Sequence, residues 1–244
     1  MKATNLFCFA LLVINFTYGT AQNTSQVFDH YWLVQVWPHG YCLERDCARR
    51  SDIFILHGLW PVTSEGKTLE GDKINKTTHN KILKLLKRDK SLEGDLMKYW
   101  LSLTTVNENY IAGFWIHEWE KHGSARKGMD PLDYFRRAVE LAKTTDLRST
   151  LAEKGVLPNG ASYPKFNYMK AIMAKTGHLP MLRCVKKGGH NHLKEVIICV
   201  GLQAKNFRSC NYGVDSRRCK GEYINPHWGE VKLSRPLDIH LNSF

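Results

Sequence analysis

The order of hydrophobic and polar positions divides the chain into a few clear elements. Residues 31–37 (Tyr-Trp-Leu-Val-Gln-Val-Trp) alternate and are rich in aromatic and β-branched side chains, which predicts a strand. Pro38-His39-Gly40 ends it. Residues 52–56 are a short apolar run, read as a second, buried strand. Between 78 and 90, Ile82, Leu85 and Leu86 recur at helical spacing, with Lys84, Lys87 and Arg88 on the other positions. Residues 114–122 also read as helix. Asp130 before Pro131 is a cap followed by a first-turn proline, opening a helix through Thr144. Its Leu132, Phe135 and Val139 would face a core. Residues 165–176 predict another helix, closed by Gly177. Residues 196–200 (Val-Ile-Ile-Cys-Val) predict a buried strand, and the tail beyond is loop-rich. Helices and strands mix without βαβ regularity, and no repeat or linker interrupts them. The pattern predicts one α+β domain.

The first 21 residues belong to a different pattern. Lys2 precedes an apolar stretch from Leu6 to Phe16, and Gly19-Thr20-Ala21 supplies small residues before a cut at Gln22. This is the layout of a secretory signal peptide, leaving residues 22–244 as the mature domain. The apolar run is shorter than the ~20 residues that span a bilayer. Secretion is therefore expected, with vacuolar delivery as the alternative, and no membrane anchorage.

Cysteine usage agrees. Of seven cysteines, Cys8 leaves with the signal. Cys42, Cys47, Cys184, Cys199, Cys210 and Cys219 remain. An even count in an oxidising compartment reads as three disulfides, with fifteen pairings open. Their spacing fits no common zinc pattern. Asn75-Lys76-Thr77 is a glycosylation sequon in a polar stretch; Asn23-Thr24-Ser25 is another, beside the cut.

Composition narrows the class only coarsely. With 43% hydrophobic and 11% aromatic residues, the 244-residue chain is neither disordered nor low in complexity. Its formal net charge of +12, one unit of which leaves with Lys2, makes a polyanion a plausible partner: nucleic acid, acidic polysaccharide or membrane surface.

Two short segments carry candidate chemistry. The first is Phe54-Ile55-Leu56-His57-Gly58-Leu59-Trp60-Pro61, with a histidine where the strand ends and an aromatic platform nearby. The second is Phe114-Trp115-Ile116-His117-Glu118-Trp119-Glu120-Lys121-His122-Gly123. His-Glu invites a metalloprotease reading, but that motif needs histidines at i and i+4. His117 and His122 are five apart, so on a helix they diverge by ~140°. Glu118 and His122 at i, i+4, with Lys121 at i, i+3, instead share one face. Two imidazoles, a carboxylate and an ammonium without a metal suit RNA cleavage. A base takes the proton of the 2′-hydroxyl, an acid protonates the departing 5′-oxygen, and the lysine stabilises the phosphorane. Exposed tryptophans would stack bases.

At these residues the chain resembles the ribonuclease T2 family. His57-Gly58-Leu59-Trp60-Pro61 and His117-Glu118-Trp119-x-Lys121-His122-Gly123 resemble its two active-site motifs, and Phe28 to Pro38 followed by Cys42 is similar to plant members. The basic charge is closer to the pistil S-ribonucleases than to their acidic S-like relatives. The resemblance implies an antiparallel sheet flanked by helices and no cofactor. It implies His57 as general acid, His122 as general base, Glu118 and Lys121 at the transition state, and His117 on phosphate. Trp60 and Phe114 would lie at the nucleobase sites. It implies the pairings Cys42–Cys47, Cys184–Cys219 and Cys199–Cys210. In the S-ribonuclease role it implies an F-box recognition partner in pollen; the chain is expected to be a monomer. Two departures stand out. Val62 follows the first motif where a polar residue is common, which puts base preference in doubt. The family's His-Gly-Thr-Cys is His122-Gly123-Ser124-Ala125 here, and no cysteine occurs from Ala48 to Arg183. A disulfide beside the site is missing in both halves, so the region is expected to be looser or held by other contacts.

Overall fold

The computed structural model describes residues 27–49, 51–210 and 219–227. Residues 1–21, read above as a signal peptide, and Asn23 lie outside the described residues. In chain order the elements are β1 (His30–Val36), α1 (Pro38–Tyr41), β2 (Ile55–Val62), α2 (Lys76–Arg88), α3 (Lys90–Tyr99) and α4 (Glu108–Lys121). A 3₁₀ turn (Gly123–Ala125) leads to α5 (Pro131–Thr145), α6 (Leu147–Ala152), β3 (Tyr163–Pro164) and α7 (Lys165–Thr176). β4 (Met181–Lys187), β5 (His190–Val200), β6 (Phe207–Arg208) and β7 (Tyr223–Ile224) follow. The main sheet runs β2-β1-β5-β4, with β6 added to β5, and every pairing in it is antiparallel. This is the α+β architecture expected.

Pleat alternation gives the sheet two apolar faces. Leu33, Leu56, Leu59 and Ile198 join Leu86, Leu96, Trp115, Phe135 and Ile172 from the helices in the larger core. Trp32, Val34, Trp60, Met181, Ile197 and Cys199 form a smaller cluster. Among the described residues no helix is long and apolar enough to cross a membrane.

Several predicted bounds hold because their caps hold. Asp130 accepts from the backbone N–H of Leu132 and Asp133, and Gly177 closes α7 in the left-handed region. The pattern read as one helix over 78–90 is broken at Asp89, whose carboxylate caps α3 by accepting from Leu92 N. The run read as strand 52–56 is displaced: β2 runs through Gly58 and Pro61 to Val62. Pro61 is tolerated because β2 is an edge of the main sheet. β4 and α6 had no clear periodic signal.

The three disulfides join Cys42–Cys47, Cys184–Cys219 and Cys199–Cys210, the pairings the resemblance implies. Asn75 is exposed and caps α2 through Thr78 N, accepting with its Oδ1.

Candidate active site

His57 lies inside β2, not at its end. Opposite β1, Gly58 pairs with Val34 and Leu56 with Gln35, so His57 is the extra residue of a β-bulge. The bulge resets the pleat, which is why Leu56 and Leu59, three apart, both reach the larger core. A bulge re-aims the side chain it carries. The imidazole of His57 is turned to the rim, 32% exposed, and its Nδ1 lies 2.9 Å from Glu195 Oε1 on β5. Burial would lower its pKa, but the Glu195 hydrogen bond and the charges of Glu118 and Glu195 raise it overall.

The second segment is divided rather than gathered on one solvent face. α4 stops at Lys121, and His122 leaves helical conformation at φ −125 and ψ −52. His117 and Lys121 are exposed, whereas Glu118 and His122 are buried. Burial, with the Lys121 and His57 charges, lowers the His122 pKa to about 3, against a backbone hydrogen bond to Leu69. Its Nδ1 has no hydrogen-bond partner. Burial raises the Glu118 carboxyl above its usual range.

Trp60 ties the two segments together. Its indole Nε1 donates to Glu118 Oε2 at 3.0 Å. His122 stacks on the ring at 4.9 Å between centroids, and His57 meets it edge-on at 4.9 Å. Gly58 is required beneath: a Cβ there would run into Trp60 Nε1 and Glu118 Oε2. Trp60, expected at a nucleobase site, is packed among the other side chains of the site. The residue is 7% exposed and its ring is occupied by the two histidines and by the Arg183 guanidinium. Trp115 and Trp119 are likewise buried core residues, not base platforms. Phe114 is half-buried, 6.5 Å from the His57 ring, and lines a groove with Val36, Ile55, Leu101 and Leu103 beside His57.

Sequence reasoning missed Glu195 and Arg183. Both lie on strands facing His57 from across the sheet, and Arg183 donates to Glu195 Oε2 at 2.9 Å. The signal available was a Glu at the threshold of the apolar run 196–200, where a strand is about to enter the core.

Where the expected disulfide is missing, other contacts hold the segment 69–74 to the end of α4. Gly71 N donates to Lys121 O at 2.9 Å, Ile74 N to Glu120 Oε1 at 3.1 Å, and Lys127 pairs with Asp72 at 2.7 Å. Gly71 abuts Ser124 and Ala125 so closely that a Cβ would collide with both.

Comparison with known proteins agrees with the geometry. The sequence profile of the Ribonuclease T2 family matches residues 28–210. The chain is 29% identical to Ribonuclease 1 of Arabidopsis thaliana over 84% of its own length and 90% of the relative's. It is 32% identical to Ribonuclease S-3 of Petunia hybrida over 77% of its length and 84% of the relative's. Its fold superposes on the crystal structure of ribonuclease MC1 from bitter gourd seeds with a TM-score of 0.67 at 26% identity, covering 81% of this chain and 99% of that one. With both histidine segments seated around one tryptophan, the chain belongs to the Ribonuclease T2 family and is an endoribonuclease.

Proposed function

We propose that the enzyme cleaves single-stranded RNA by metal-free transesterification, with His122 as general base and His57 as general acid. The observation that carries this reading is the seating of both imidazoles on one tryptophan, His122 stacked on the Trp60 ring and His57 edge-on to it. His122 is held neutral and His57 is biased towards its protonated form. His122 takes the proton of the 2′-hydroxyl, and the 2′-oxygen attacks phosphorus. His57 gives a proton to the departing 5′-oxygen, leaving a 2′,3′-cyclic phosphate that is hydrolysed slowly. Lys121 and His117, exposed at the end of α4, meet the phosphate oxygens, and Glu118 supports the transition state from beneath. The groove at Phe114 takes a base. No cofactor takes part.

His57→Asn and His122→Asn test this on polymeric RNA. Each variant is expected to lose about 10²–10⁴-fold in rate. Cleavage by either variant at the wild-type rate, or loss of wild-type activity on chelation with EDTA, would overturn the reading.

A pistil self-incompatibility ribonuclease acting as a cytotoxin is the biological role we favour. The net charge of +12 and the likeness to a petunia S-ribonuclease support it. It carries with it secretion through cleavage at Ala21, a glycan on the exposed Asn75, a monomeric enzyme and an F-box partner in pollen. Expression confined to the style with high allelic diversity is the expected outcome; starvation-induced or ubiquitous expression would point to defence or phosphate recovery.

A further inference from the structure

We propose that Glu195 is a positioning residue for His57, itself held by Arg183, so that the working acid is a three-residue chain reaching across the sheet. The proposal rests on the reading of His57 as general acid.

The three residues come from three strands. His57 is the bulged residue of β2, Glu195 sits on β5 and Arg183 faces it directly on β4. β5 carries a bulge of its own: Arg183 pairs with Glu195 but Cys184 with Leu193, leaving Lys194 as the extra residue. Val36 on β1 pairs with both Ile55 and Glu195, so only one strand separates the histidine from its carboxylate. Ile55, Val36 and Glu195 are register partners across β2, β1 and β5, so they share one face of the sheet. His57, two residues on from Ile55, lies on that same face, and its ring reaches the carboxylate past β1.

The carboxylate divides its oxygens. Oε1 accepts from His57 Nδ1 at 2.9 Å and Oε2 from Arg183 at 2.9 Å. Glu195 is 4% exposed and Arg183 3% exposed. The Arg183 guanidinium also lies 5.6 Å from the Trp32 ring and 5.7 Å from the Trp60 ring. Burying an ion pair gives little stability by itself, because desolvation offsets the attraction. A pair placed only for stability would have no need of a part-exposed imidazole on its second oxygen.

The arrangement has a specific chemical consequence. A carboxylate on Nδ1 fixes that nitrogen as the N–H donor. The proton for the leaving 5′-oxygen then departs from Nε2, and the neutral ring keeps Nδ1–H. Arg183 keeps the carboxylate ionised, so the Nδ1 proton stays on the ring rather than passing to Glu195. The charged groups facing His57 are Glu195 from β5, Arg183 from β4 and Glu118 from α4, two anions against one cation.

The test uses the full mature enzyme and Glu195→Gln, which keeps the shape and removes the charge. On RNA, kcat is expected to fall about 10²-fold with KM little changed. The basic limb of the pH profile is expected to move to lower pH. On a uridine 3′-aryl phosphate, whose phenolate departs without a proton, the loss should shrink to a few-fold. An equal loss on both substrates, or no loss on RNA while His57→Asn is inactive, would overturn the positioning role alone. Activity in His57→Asn would instead overturn the acid assignment beneath it. Should Glu195→Gln fail to fold, the wild-type ¹⁵N shifts of the neutral His57 ring decide: Nδ1–H is expected, and Nε2–H refutes the proposal.

Discussion

Trp60 donates its indole N–H to the buried carboxylate of Glu118 across 3.0 Å, directly over Gly58. This bond, with the clearance that Gly58 leaves beneath it, ties the first segment to the second. Trp60→Phe keeps most of the ring volume and removes the donor. A buried carboxylate then loses a partner, which costs about 1–3 kcal/mol. The variant should be less stable to urea by that order, and its cleavage of RNA should fall with it. Unchanged stability would mean that solvent, not Trp60, satisfies Glu118.

Much of the fold was legible because its caps are local. Asp130, Gly177 and the alternation of 31–37 each report on the few residues around them, and each element forms close to where that signal puts it. The motif residues were legible, but their depth was not. Helical spacing puts Glu118 and His122 on one face; it does not reveal that α4 ends at Lys121, nor that the face is packed beneath Trp60. The His57–Glu195 contact joins residues 138 apart across the sheet, past β1, and no local pattern encodes it.

Glu120 does part of the work of the missing disulfide. Its carboxylate accepts from Ile74 N while Gly71 N donates to Lys121 O, fastening the segment beside Leu69 and hence the wall behind His122. Glu120→Ala should cost about 0.5–1.5 kcal/mol. Glu120→Gln, which still offers an oxygen, should cost less. Hydrogen exchange at the Ile74 amide should quicken in the alanine variant; protection equal to the wild type would show that the segment is held elsewhere.

The displaced imidazoles set the pH range. His122 is held neutral down to about 3, below its ordinary 6.5, so the unfolded chain binds more protons between these values. Stability from His122 is complete above about 6.5 and is lost as the pH falls towards 3. Glu195, lowered to about 2 by His57 and Arg183 against its burial, adds stability above its ordinary 4.5 that is lost as the pH falls towards 2. His57 works in the other direction: its stability is present below 6.5 and fades as the pH rises through its raised value. Denaturant midpoints should therefore decline on acidification from 6.5, and His122→Asn should remove the upper part of that decline. An acid profile unaltered in His122→Asn would assign the loss to carboxylates alone.

The disulfides should differ in both stability and function. Cys184–Cys219 closes a sequence separation of 35 residues and Cys42–Cys47 one of 5. On loop-closure entropy the longer bridge contributes about 4 kcal/mol and the shorter about 2. Cys184 also follows Arg183 at the bulge between β4 and β5. Freeing it relaxes the strand that aims the guanidinium at Glu195, whereas freeing Cys42 leaves that strand untouched. Replacing Cys184 and Cys219 by serine should thus lower the unfolding midpoint more than replacing Cys42 and Cys47. At temperatures where both variants remain folded, only the first should shift the basic limb of the pH–rate profile. A shift of equal size in both would show that Arg183 is fixed by the sheet and its aromatic neighbours rather than by the bridge.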